Sequence, residues 1–296
     1  MKPKLAFFLS KKQTFLSICL LSLTLFSCTN PTETKSVLAR ASSIAQNQNS
    51  DRQASLWANN FTNTNWMEEW GVKKSASWGL KNIELMENSQ SKITKYLRVR
   101  YPAGSASPTV SRKEEAPLGG AQFFAHLNMQ PRDALRLSYY VRFSNNFDFV
   151  KGGKLPGLFG GKLNTGGKIP DGTNGFSTRY MWRRNGDGEV YAYLPTSRDH
   201  GTSLGRGNWQ FKPGNWHFIE QEVILNQPGK NDGRIRVWLD GKQVLEQDEL
   251  TFRTTNDLKI EGILFSTFFG GGDASWATPK DVYADFANFS VTSVNY

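Results

Sequence analysis

FSTRYMWRRNGDGEVYAYLP, residues 176–195, reads as two β-strands joined by a tight turn. Aromatic and strand-favouring residues fill both flanks, and Asn185-Gly186 and Asp187-Gly188 between them can each supply positive φ. Side chains two apart on a strand share a face. Ser177 and Arg179 therefore point to one side of the first strand, and Tyr191 and Tyr193 do the same on the second. A hairpin makes these strands neighbours, so four polar or amphipathic side chains fall on one surface.

The same pattern spreads outward. KYLRVRYP (95–102), ALRLSYYVRF (134–143), WHFIEQEVIL (216–225) and GRIRVWLDG (233–241) alternate or cluster β-branched and aromatic residues between glycine and Asx turns. NDGRIRVWLDGKQVLEQ reads as two strands around an Asp240-Gly241 turn, and DVYADFANFSVTSV as a closing strand that buries Phe286 and Phe289. No long helical period appears, although SLWANNFT (55–62) fits a short helix. The fold expected is all-β: a β-jelly roll or concanavalin-like antiparallel sandwich, whose concave side can take a linear polymer.

The N-terminus has a different character. MKPKLAFFLSKK carries four lysines and no acid, and a short apolar run ends in LFSC. That is the layout of a lipoprotein-type signal peptide over residues 1–27, with Cys28 as the lipidated residue. Residues 28–52, polar and without aromatics, read as a flexible tether. The folded domain is expected over 53–296. The two cysteines, Cys19 and Cys28, both precede it, so a mature domain has no thiol for catalysis, disulfides or zinc. Removing the leader leaves 32 basic against 26 acidic residues, a net charge of +6. On an exported, lipid-anchored chain this excess favours an acidic polysaccharide over nucleic acid as partner. The expected location is extracytoplasmic, at the outer membrane or cell surface, and a monomer is expected.

Several chemistries fail on spacing. FVKGGKLPGLFGG (149–161) carries Lys151 and Lys154 among five glycines, but no register matches a phosphate-binding loop. The carboxyl pairing of sandwich glycosidases is absent, and the acids of EQEV (220–223) and EQDE (246–249) read as solvent faces. His126, His200 and His217 stand alone, and NGDGE and GGGD are explained by turns more simply than by calcium. No metal and no cofactor is expected.

KGGKLPGLFGG, FSTRYMW and EVYAYLP, in this order, with the closing STFFGGGDASWATPKDVYADFANFSV, resemble polysaccharide lyase family 14, the alginate and glucuronate-polymer lyases. The resemblance covers most of residues 95–296 and implies a β-jelly roll. It also implies a functional set of Lys154, Ser177, Arg179, Tyr191 and Tyr193, with Lys151 as the competing lysine. Such chemistry suits these residue types. β-Elimination removes the C5 proton of a uronate and expels the C4 oxygen. A cation at the carboxylate stabilises the enolate-like transition state. Arg179 can supply that cation with help from Ser177 or Gln122, and His126 on AQFFAHL is a further candidate for the cleft. The base is left open among Tyr191, Tyr193 and Lys154. Trp182, Trp209, Trp238 and Trp276 are either sugar platforms or core. The competing readings are a non-catalytic carbohydrate-binding lipoprotein and a glycoside hydrolase.

Overall fold

The computed structural model describes residues 54–162, 164 and 166–296; the leader, Cys28 and the tether lie outside them. The described strands are β1 (Ser55–Asn59), β2 (Ile83–Glu87), β3 (Lys95–Tyr101), β4 (Ala121–Ala125), β5 (Ala134–Phe143), β6 (Gly152–Gly161) and β7 (Gly175–Arg183). They continue with β8 (Gly188–Tyr193), β9 (Thr202–Leu204), β10 (Trp216–Ile224), β11 (Gly233–Leu239), β12 (Lys242–Leu250), β13 (Gly262–Phe269) and β14 (Val282–Ser293). They form two antiparallel sheets. One runs β12-β11-β10-β5-β14-β3-β2 with β1 beside β14, and the other runs β4-β13-β6-β7-β8-β9. The all-β sandwich expected from the sequence is the fold observed.

Alternation explains the packing. Along β5, Leu135, Leu137, Tyr139, Val141 and Phe143 are fully buried, while the intervening Arg136, Tyr140 and Arg142 face out. Phe123 and Phe265 stack at 4.6 Å and Tyr139 and Phe289 at 4.7 Å, so rings from both sheets fill the interior. A polar link crosses the same interior. Gln221 of β10 receives Thr178 Oγ1 at 2.6 Å and donates Nε2 to the Thr178 carbonyl at 2.8 Å. On the outer face, buried Asp285 accepts from Arg98 and Arg142, and Glu222 from Arg136 and Arg236. Glu222, from EQEV, thus belongs to an outer-face ion-pair network.

The two Asx-Gly turns form as read. Asn185 and Gly186 have φ of 61° and 84°, and Asp240 and Gly241 have 52° and 81°. Asp187-Gly188 is not a turn: Gly188 opens β8, where an added Cβ would stand 1.8 Å from the Trp209 indole nitrogen.

One segment differs from the sequence reading, and another forms an element that the sequence reading did not assign. SLWANNFT holds strand β1, not a helix, because Asn59 pairs with Phe289 and Ala58 with Ser290 on β14. The Gly-rich stretch is a central strand, β6, flanked by β13 and β7. Proline normally forbids such a place, but the register on both neighbours shifts around Pro156. Its carbonyl still accepts from Tyr139 Oη at 3.0 Å.

The glycines of β6 clear space within the sheet. A Cβ on Gly153 would stand 2.0 Å from Trp182 Cζ2 and 2.5 Å from the Phe268 carbonyl. Overpacking of this kind costs about 1–3 kcal/mol. Gly153→Ala is therefore expected to lower the midpoint of urea unfolding, with an unchanged midpoint as the contrary result.

Candidate active site

The odd-numbered residues of β7 and β8 face away from the core. Ser177, Arg179, Met181 and Arg183 line up on one strand, and Glu189, Tyr191 and Tyr193 on the next. Register across β6, β7 and β8 sets them in rows. Lys154 is opposite Met181, which is opposite Glu189; Gly157 is opposite Arg179, which is opposite Tyr191; Phe159 is opposite Ser177, which is opposite Tyr193. The surface is the floor of a cleft of about 650 Å³. Its lining includes Lys154, Arg179 and Arg183 and, among the described residues, no carboxylate.

Arg179 is 1% exposed. The guanidinium reaches toward β13, where Nη1 donates to Ser266 Oγ at 3.1 Å. Ser266 in turn donates to Gln122 Oε1 at 2.9 Å. Arg179 Nε has no partner among the described residues, and no carboxylate pairs with the group. Burial pushes its pKa down to about 10, against the opposing effect of Tyr193 and Tyr191. A buried cation without a counter-charge is costly and is retained where an anion is to be bound.

Lys154 Nζ lies 2.7 Å from Met181 Sδ and 3.8 Å from the centre of the Tyr191 ring. Desolvation first, then the charges of Arg179 and Arg183, hold its pKa well below the usual lysine value, with Glu189 opposing. Tyr191 moves the other way. Burial and the neighbouring Tyr193 push its phenol up to about 12, with Arg183 opposing. The two rings meet edge to face at 5.7 Å. The result is an amine inclined to be neutral beside a phenol inclined to keep its proton.

The predicted residues are thus mostly, not wholly, brought together. Lys154, Arg179, Tyr191, Tyr193 and Gln122 line the cleft. Ser177 lies one row away between Phe159 and Tyr193, and its hydroxyl is buried without a hydrogen bond among the described residues. Lys151 sits outside the cleft, bonded to Ser275. His126 is beyond the end of β4, with its ring 5.4 Å from Phe159 and Nδ1 3.8 Å from Glu261, and it does not line the cleft. Trp182 and Trp209 are core, Trp238 carries Arg136 on the outer face at 4.1 Å, and Trp276 lines the cleft.

Met181, Arg183 and Glu189 were missed, though the period of two from Ser177-Arg179 and Tyr191-Tyr193 leads directly to them. Ser266, Trp78 and His200 also reach the site or its lining. They arrive from distant segments, and no local signal marks them.

Residues 89–289 match the sequence family described as Polysaccharide lyase 14. The chain belongs to polysaccharide lyase family 14. Within that family, the chain is 34% identical to the marine PL-14 alginate lyase of Aplysia kurodai, with a TM-score of 0.71 over 81% of this chain and 100% of that one. The alginate lyase vAL-1 of a Chlorella virus shares the fold, with a TM-score of 0.67 at 23% identity over 80% of this chain and 100% of that one. The endo-β-1,4-glucuronan lyase of Trichoderma reesei does so at 0.53 and 14%, over 81% and 96%. Exolysin of Paramecium bursaria Chlorella virus 1 is 26% identical over 171 residues, 47% of this chain. The match spans about a quarter, 26%, of that relative's length.

The depressed Lys154 has a consequence for stability in this family 14 chain. Its folded state binds the lysine proton less tightly than the unfolded chain does, so the group weakens the fold below the ordinary lysine value of 10.5. The penalty fades as pH rises from the depressed value to the ordinary one. Lys154→Met is expected to raise the thermal midpoint at neutral pH, and the gain is expected to shrink in alkaline buffer. Calorimetric scans across pH check this; a midpoint lowered at neutral pH contradicts it.

Proposed function

We propose that this protein is an exported polysaccharide lyase that cleaves a uronate-containing polymer of the alginate or glucuronan type by β-elimination. The observation that carries the reading is the buried, uncompensated Arg179 on the floor of an open cleft, flanked by a lysine of lowered and a tyrosine of raised proton affinity. Family membership and the Aplysia enzyme support the reaction class.

In this reading the substrate carboxylate meets Arg179 through the terminal guanidinium donors that Ser266 leaves unused. The Ser266–Gln122 chain holds the guanidinium in place. Neutralising the carboxylate lets negative charge build on it as the C5 proton leaves, which lowers the barrier without a metal ion. Lys154 takes that proton, and the ammonium formed is stabilised by the Tyr191 ring beneath it. The C5 electron pair becomes the C4–C5 double bond as the C4–oxygen bond breaks. Tyr191 gives its proton to the leaving oxygen, a role that suits a phenol held protonated to about 12.

Incubation with alginate and with glucuronan, followed by the absorbance of the unsaturated uronate, tests the proposal. Absence of that absorbance on every uronic polymer overturns it, and new reducing ends without it point to hydrolysis. Lys154→Arg keeps a cation that cannot serve as base, and Tyr191→Phe removes the donor. Each is expected to lower kcat by about 100-fold or more, the usual worth of a positioned acid or base. In the unmodified protein kcat/KM is expected to rise with pH through the depressed lysine value, because the neutral amine is the active form. A rising limb at the ordinary lysine value contradicts the assignment of Lys154.

A further inference from the structure

Beyond Tyr191 the cleft reaches Arg183 and Trp276, which the elimination step leaves unused. Arg183 ends the β7 row, with Nε and Nη2 both held by Glu189 Oε1 at 2.8 and 2.6 Å. Glu189 is fully buried, so this contact locks the guanidinium where it lines the cleft. The Arg183 Cζ lies 5.7 Å from the Tyr191 ring and 6.0 Å from the Trp276 ring. Trp276 is half-exposed and packs so closely on Gly271 that a Cβ there would stand 2.1 Å from the indole. An indole fixed on backbone in this way keeps a flat apolar surface at the cleft wall.

A second depression, of about 640 Å³, has Lys151, Arg184 and Ser275 in its wall. Lys151 Nζ stands 6.0 Å from the same Trp276 ring and is held by Ser275, which also donates to Asp273. Trp276 is therefore 6.0 Å from a cation of the cleft and 6.0 Å from a cation of the depression. Asp148 in the same wall and Asp273 beside Ser275 each add a negative charge, and Asp148 accepts from the Val150 backbone N–H at 2.8 Å; Arg184 has no ion pair among the described residues. This spacing of aromatic surface and cations matches a polymer that carries a carboxylate on every unit and an apolar face on each sugar ring.

We propose that Trp276, with Arg183 and Lys151 beside it, is a distal subsite that stacks a sugar ring and takes the carboxylates of uronates beyond the cleaved unit. The protein then favours long uronate runs over short ones. The inference rests on the lyase reading for its substrate class, but binding and turnover test the two separately.

The experiment compares the unmodified protein with Lys151→Ala and Trp276→Ala on short and long oligouronates of fixed length. Binding is measured by calorimetry, turnover by unsaturated-uronate absorbance, and cleavage position by mass spectrometry of the products. The expected result is a loss about tenfold larger on long than on short oligomers in both affinity and kcat/KM, with a shifted cleavage position. Tenfold corresponds to one lost stacking or charge contact. Equal losses at every length, with cleavage position unchanged, overturn the subsite. Length-dependent binding without any unsaturated product from the unmodified protein overturns the lyase reading and leaves the subsite standing.

Discussion

The close approach of β7 to β6 is the constraint from which the rest of the concave sheet follows. Three glycines on β6 lie against three large residues of β7: Gly153 under the Trp182 ring, Gly157 against Arg179 and Gly160 under the Phe176 ring. Added Cβ atoms would come within 2.0, 2.6 and 2.6 Å of them. Real side chains do not tolerate such contacts, so the strand surrenders its own side chains to make room. Trp182 and Phe176 gain a place in the core, and at Gly157 the strand closes directly on the β7 backbone at Thr178 and Arg179. The bulge at Pro156 belongs to the same arrangement, since it lets a residue without an N–H occupy a central strand.

The outer face pairs its central arginines with carboxylates, whereas the cleft pairs Arg183 with Glu189 and leaves Arg179 without an acid among the described residues. On the outer face, Arg98 and Arg142 share Asp285, and Arg136 and Arg236 share Glu222. In the cleft, Arg179 has the Ser266 hydroxyl and, at 5.9 Å, the Tyr193 ring as its contacts among the described residues, and Lys154 is placed near two guanidinium groups. Self-repulsion and desolvation there oppose folding, and the aromatic core offsets them. Fold stability is traded for a site poised to accept negative charge. The same crowding that destabilises the cations lowers the proton affinity of Lys154, so the cost and the reactivity have one origin.

Legibility in the sequence followed locality. The hairpin 176–195 was readable because both strands and the turn lie within twenty residues, and period two then put Arg179 and the tyrosines on one face. The closing strand and the Asp240-Gly241 turn were readable for the same reason. Strand β6 was not, because glycine and proline argue against a strand unless neighbours on both sides are known. The edge strand β1 looked helical because its pairing partner, β14, lies over 200 residues away in the chain. Ser266 escaped notice as one serine among many; only its contact with Arg179 distinguishes it.

What the sequence determined by itself is the alternation that makes sheets, the polar stripe of one hairpin, and the excess of cations over acids. Those depend on residue type and short spacing, which the chain states directly. The tertiary structure alone decided that Lys154, not Lys151, joins that stripe. Both lysines flank the same glycine pair, but only Lys154 is opposite Met181 in the sheet, while Lys151 precedes the strand and turns to Ser275. It also decided that Arg179 would have no carboxylate partner among the described residues. That is a property of every strand that passes nearby, and no single stretch of sequence contains it.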